Sequence, residues 1–209
     1  HDDADRESAG DSFVVTAEAG AGGAETNVAG ALAISIIMTD VEAVIEAGAS
    51  VDLNGADLSL TASSTTHAET AATPNGDDLG EAGETGVGGS VALAVIDNDT
   101  SALVENGATV TAAEDVTLSA TGSHESETTA EAGGTGGSTG IGGAVAIDVI
   151  DNTTRASLGT DDVELDITGD FSATATHHGL STATADGTAI GSTAVGAAIA
   201  LAFVDNRAI

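Results

Sequence analysis

The residues best placed to do chemistry are an acid–amide pair at fixed spacing: Asp97-Asn98, Asp151-Asn152 and Asp205-Asn206, with Asp40 in the corresponding place upstream. Asn98 and Asn152 open the sequons Asn98-Asp-Thr100 and Asn152-Thr-Thr154, which makes them candidate glycosylation acceptors on successive units. The competing role is structural, since Asx side chains end strands, start turns and stack as ladders. Asn206-Arg-Ala lacks the hydroxyl residue and argues for a structural task. Asp97, Asp99, Asp151, Asp161 and Asp162, with Asp77 and Asp78, offer hard oxygen donors near expected turns and are candidate calcium ligands. Ca2+ is the one cofactor they suggest. There is no EF-hand loop or glycine- and aspartate-rich nonapeptide, and solvated surface acid is the competing reading. His67, His124, and His177 with His178 recur at comparable places, as a metal- or pH-responsive imidazole row or as solvent-facing turn residues.

Catalysis has little to use. With 34 acids, paired carboxylates occur by chance. The chain has no Gly-x-Ser-x-Gly elbow, no lysine-bearing phosphate loop and no cysteine nucleophile. The expectation is a protein that is not an enzyme.

Charge narrows the partners. Three arginines against 34 acids give a formal net charge of -31 in 209 residues, with no lysine. Such a surface repels nucleic acid and anionic membranes, and suits a medium salty enough to screen its carboxylates. No stretch of 18 apolar residues is available to enter a membrane directly. The lysine-free, acid-rich composition resembles that of halophile proteins, and a marine or mucosal surface protein is the alternative.

The elements that must position these residues are repeats. Segments beginning at Thr26, Thr85, Thr139 and Thr193 align without gaps, with starts 59, 54 and 54 residues apart. Each carries a run such as Val91-Ala-Leu-Ala-Val-Ile-Asp-Asn98, and the first three are followed by a second block such as Gly107-Ala-Thr-Val-Thr-Ala112 and Asp115-Val-Thr-Leu-Ser-Ala-Thr121. The apolar period is two: Leu32, Ile34 and Ile36, then Val91, Leu93 and Val95, then Val145, Ile147 and Val149, then Ile199, Leu201 and Phe203. Alternation predicts strands with the large residues on a core face, and Val, Ile, Leu and Ala ladders are expected to fill the interior while Thr, Ser and Asn line the outside. One unit cannot bury that face alone, but stacked copies can. The expected fold is all-β: a β-solenoid (β-helix) of about three and a half 54–59-residue repeats over 12–209, with 1–11 an acidic N-terminal strip, extended or disordered. A β-sandwich is the runner-up. Whether a repeat makes one wide coil or two narrow ones stays open.

The quoted blocks, with Gly86-Val-Gly-Gly-Ser-Val-Ala-Leu-Ala-Val-Ile-Asp-Asn98, resemble the repeats of long secreted adhesins of the filamentous-haemagglutinin and leukotoxin-like kind. That resemblance implies a β-helical stalk at the cell surface, working in adhesion or matrix building. No polar cap is visible at either end of the repeats, so free terminal rungs are expected to recruit further strands. Phe13, Val14 and Val15 at one end, and Phe203 and Val204 at the other, are the candidate assembly residues, with 12–20 completing a neighbour's rung. The leading expectation is an extracellular filament or sheath subunit stacking head to tail. The alternatives are a stalk segment covered by flanking repeats of the same protein, and a calcium-dependent carbohydrate- or ice-binding module using Thr-rich stretches 119–130 and 172–188.

Overall fold

The computed structural model describes residues 10–21, 25–74 and 84–209; Asp77, Asp78 and residues 1–9 of the acidic strip lie outside them. The described chain is all-β and parallel, built as three sheets traversed in turn. Sheet A holds β1 (Asp11–Ala19), β4 (Leu58–Pro74), β7 (Val116–Thr135) and β10 (Phe171–Ile190). Sheet B holds β2 (Thr26–Ile45), β5 (Thr85–Val104), β8 (Thr139–Leu158) and β11 (Thr193–Ala208). The short sheet C holds β3 (Ser50–Asp52), β6 (Thr109–Ala113) and β9 (Glu164–Ile167). The chain runs A to B to C and back to A, so each pass lays a rung on the one before, in a β-helix-like parallel arrangement.

The registers settle the coil question. Thr85 pairs with Thr139 and Thr139 with Thr193, so one repeat advances the chain by one rung. Each repeat therefore makes a single wide turn, whose two long sides are 20-residue strands in the central rungs. At about 3.3 Å per residue such a strand spans roughly 65 Å. The turns around sheet C use left-handed backbone at Gly48, Asn54, Gly55, Gly107, Ala112 and Asp162.

Alternation is present, but its sense is opposite to expectation. Along β5 the buried positions are Gly86, Gly88, Ser90, Ala92, Ala94, Ile96, Asn98, Thr100, Ala102 and Val104. Leu32, Ile34, Ile36, Val91, Val149, Ile199, Leu201 and Phe203 are exposed on the outer face of sheet B. The expected large-residue core is thus corrected for sheet B: its inward face is mostly small and polar side chains, with Ile96 and Val104 the large exceptions on β5.

The reason is the separation of sheets A and B. Packed sheets ordinarily sit about 10 Å apart. Here a Cβ built on Gly88 would lie 2.1 Å from the carbonyl oxygen of Gly133, and one on Gly134 would lie 1.9 Å from that of Ile141. Backbone meets backbone at the A-to-B turn, and no Val or Ile fits between. The coil then widens towards sheet C, through Ala92, Ala130 and Ala146 to a core of Val104, Val110, Val116 and Leu118. In this second block the expected inward placement of Val116 and Leu118 holds.

Candidate functional surfaces

Between the alanine-lined and valine-lined zones runs a polar seam. Asn98 and Asn152 are essentially fully buried, and the asparagines form a ladder: Asn98 Nδ2 donates to Asn152 Oδ1 at 2.7 Å, and Asn152 Nδ2 to Asn206 Oδ1 at 2.8 Å. This corrects the glycosylation reading. The nitrogen that would carry a glycan is a ladder donor inside the coil, where a sugar has no room. It corrects the turn reading as well, because all three asparagines stand in mid-strand. The ladder already weighed as their structural role is what forms.

The histidines do not form a row. His67 points outward, with Nδ1 3.3 Å from Glu125 Oε2. His124 registers with Thr66 and Gly179, while His177 registers with Gly122. The two interior imidazoles use space that glycine leaves free: a Cβ on Gly122 would lie 3.0 Å from each ring. The ring centroids of His124 and His177 are 5.4 Å apart. Burial, with the neighbouring His177, pushes His124 down to about 4, and burial also lowers His177.

Between pH 6.5, the ordinary value, and about 4, the unfolded chain takes up a proton at His124 that the folded chain refuses. Acidification through that window removes stability, and above it the group contributes nothing. The expected loss at pH 5 relative to pH 8 is roughly 2 kcal/mol from this residue. Urea unfolding of the wild type and of His124→Gln at the two pH values measures it; equal pH sensitivity in both proteins would refute the assignment.

Asp148 acts in the opposite sense. It is fully buried on sheet B, accepting hydrogen bonds from Ser126 Oγ at 3.0 Å and Ser181 Oγ at 2.5 Å across the interior. Burial raises its carboxyl, against the lowering effect of the two serines. The folded chain therefore gains stability as pH falls through the raised value, and carries the cost of a buried charge above it. Asp148→Asn keeps both hydrogen-bond positions and is expected to raise the thermal midpoint at pH 8, with the gain shrinking at pH 4. A lower midpoint at pH 8 would overturn this.

The proposed calcium ligands are spread out. Asp97 and Asp151 lie in one outward row with Asp205, and Asp99 lies in the next, beside Asp40 and Thr153. Asp161 and Asp162 sit beyond the end of β8, where the Asp161 amide donates to Asn106 Oδ1. Among the described residues no three histidine, aspartate or glutamate side chains come together in a group able to hold a metal ion. Burial and the neighbouring Asp97 and Asp40 carboxylates raise Asp99. Arg207 is hydrogen-bonded to Asp205 and stands 3.9 Å from Asp151.

The candidate assembly residues divide. Phe13, Val14 and Val15 belong to β1, which pairs with β4 of the same chain from Asp11–Thr66 onward. β1 is the outermost strand of sheet A and pairs with β4 on one side. Phe203 and Val204 lie on β11, Phe203 outward and Val204 in register with the inward Ile150.

Sequence reasoning missed the outer faces. Sheet A presents rows of hydroxyls, such as Ser63/Thr121/Thr176. Sheet B presents four aliphatic rows: Val28/Val87/Ile141/Val195, Leu32/Val91/Val145/Ile199, Ile34/Leu93/Ile147/Leu201 and Ile36/Val95/Val149/Phe203. Parity was the available signal: these residues are out of phase with the asparagines that form the ladder.

Comparison of the chain with protein-family models, curated proteins and solved structures returns no match, so the reading of its function rests on the geometry above.

Proposed function

We propose that this chain is a β-solenoid structural subunit of an extracellular filament or sheath, extended by adding rungs along the stacking axis. The observation that carries this reading is the unbroken parallel register across successive rungs of sheets A and B, with outermost strands β2 and β11 paired on one side only. An unpaired parallel strand with all its amides and carbonyls in register is a template for another rung. A second copy or flanking repeats of the same protein could supply it. The acid-rich exterior favours a salty external medium, where screening lets like-charged copies approach. The role is structural, with no reaction assigned.

Electron microscopy of the purified protein in molar salt tests the reading. Fibres whose strands lie across the fibre axis, with a repeat of about 4.8 Å along it, are expected. A population that remains as separate particles at every concentration and salt would overturn the filament reading.

A second reading is favoured by the hydroxyl rows on sheet A, which form a regular flat array suited to ice or a polysaccharide. Ice recrystallisation or glycan-array assays on the same protein address it.

A further inference from the structure

We propose that the outer face of sheet B is a lateral interface, on which a second copy of this chain packs face to face in two-fold symmetry. This contact is perpendicular to the stacking axis and stands independently of axial growth.

The first observation is the face itself. Its four aliphatic rows contain sixteen large apolar side chains and no charge. Leu32 is 60% exposed, Ile36 67%, Ile199 53% and Phe203 58%, and even Val91 on an inner strand is 39% exposed. Nine residues by four strands cover about 30 by 19 Å, roughly 570 Å² per copy and about 1,100 Å² in a pair, which reaches the lower bound for a specific interface. An apolar patch of this size stands at the upper end of what a single soluble chain exposes, and such patches are often functional.

The second observation concerns glycine. Inside the coil, glycines are demanded by backbone contact. Gly30, Gly89 and Gly143 face outward, where the chain asks nothing of them: a Cβ on Gly143 would meet nothing within 4 Å, and those on Gly30 and Gly89 only ordinary contacts at 3.6 and 4.0 Å. With Ala197 they form a shallow groove across four strands, flanked by the Val28 and Leu32 rows.

Symmetry says what fills the groove. A two-fold axis along the stacking direction, over the Leu32/Val91/Val145/Ile199 row, reverses the strand direction of the second copy. The row two residues to one side of the axis then falls on the row two residues to the other side. The large Ile34/Leu93/Ile147/Leu201 ridge of each copy therefore drops into the glycine groove of its partner. The same operation places the row carrying Asp97, Asp151 and Asp205 opposite the partner's Thr26/Thr85/Thr139/Thr193 row, so acids do not meet acids. Rung order is preserved, so a pair could still be extended axially.

Charge selects a second copy over a lipid surface. A chain of net charge -31 is repelled by anionic headgroups, whereas this face meets its like without opposing a single carboxylate. Added salt screens the remaining repulsion, with a Debye length near 3 Å at about 1 M, and pairing is expected to strengthen as salt rises.

Because the chain has no cysteine, single thiols report the contact cleanly. In molar KCl, Val145→Cys is expected to be joined to a second copy by a short bis-maleimide, whereas Thr121→Cys on the outer face of sheet A is not. Gly89→Val with Gly143→Val fills the groove without an internal clash and is expected to weaken pairing at least about ten-fold in sedimentation equilibrium, with an unchanged circular dichroism spectrum. A wild type that sediments as single chains, equal cross-linking at both thiols, an unaffected glycine variant, or vesicle binding through Val145 in place of pairing would each overturn the proposal. Absence of fibres bears only on axial growth, since a pair still sediments at twice the mass.

Discussion

Gly142→Ala is expected to destabilise the fold by about 3 kcal/mol or more, while Gly143→Ala beside it leaves stability at or slightly above that of the wild type. The two residues are chain neighbours on opposite faces of β8. A Cβ on Gly142 would lie 2.1 Å from the carbonyl oxygen of Thr188 and 2.9 Å from its carbonyl carbon. Those are backbone atoms of β10, so no side-chain rotation relieves the overlap. Sheets A and B would have to part, loosening the alanine contacts of adjacent rungs. Ordinary overpacking costs about 1–3 kcal/mol, and a backbone-to-backbone collision lies at or beyond the upper end. Gly143 faces open space, and its counterpart one rung on is already Ala197. Replacing it removes unfolded-state freedom and is expected to add up to about 1 kcal/mol. Urea unfolding of both variants, followed by circular dichroism, measures the contrast; similar midpoints would mean that the sheets are not as close as described.

Asn152→Ala is expected to destabilise the chain by about 2–4 kcal/mol, whereas Asn206→Ala costs less than about 1 kcal/mol. Asn152 is the middle member of the ladder, accepting from Asn98 and donating to Asn206. Its removal leaves the Nδ2 of a fully buried Asn98 without an acceptor, and opens a void beside it. Asn206 lies on the outermost strand and is exposed, so its loss leaves Asn152 one partner short at a position water can reach. Thermal and urea midpoints of the two variants give the difference directly. Equal and small losses would show that the ladder follows the fold without stabilising it.

The repeat was fully legible in the residues, and with it the strands, their parallel stacking and the equivalence of Asn98, Asn152 and Asn206. Gap-free alignment of the four segments fixes the register, because the same side chains must land on one another in successive rungs. The inward placement of Val116 and Leu118 was legible too, since hydrophobic parity and burial agree there.

Which face of sheet B points inward was not legible from hydrophobicity. A strand of period two offers two faces, and a one-residue change of sense exchanges them entirely. In Val91-Ala-Leu-Ala-Val the larger residues are the natural choice for a core, and the structure places the alanines there instead. The same inversion carried Asn98 and Asn152 from an expected edge into the interior, and left sixteen large apolar side chains on the outer face. The histidine row failed for a related reason: successive sheet A strands are offset by 58 and then 55 residues, so His67, His124 and His177 do not share a rung position.

By itself, then, the sequence determined periodicity: a repeat of 54 to 59 residues, strands of alternating character, and a formal net charge of -31. The tertiary structure alone decided the sense of the alternation. That choice depends on how closely sheets A and B approach, and the approach is set by backbone contacts between glycines far apart in the chain, such as Gly88 with Gly133. Where two sheets touch through their backbones, volume outweighs hydrophobicity. The small residues go in, and the large ones are left facing outward.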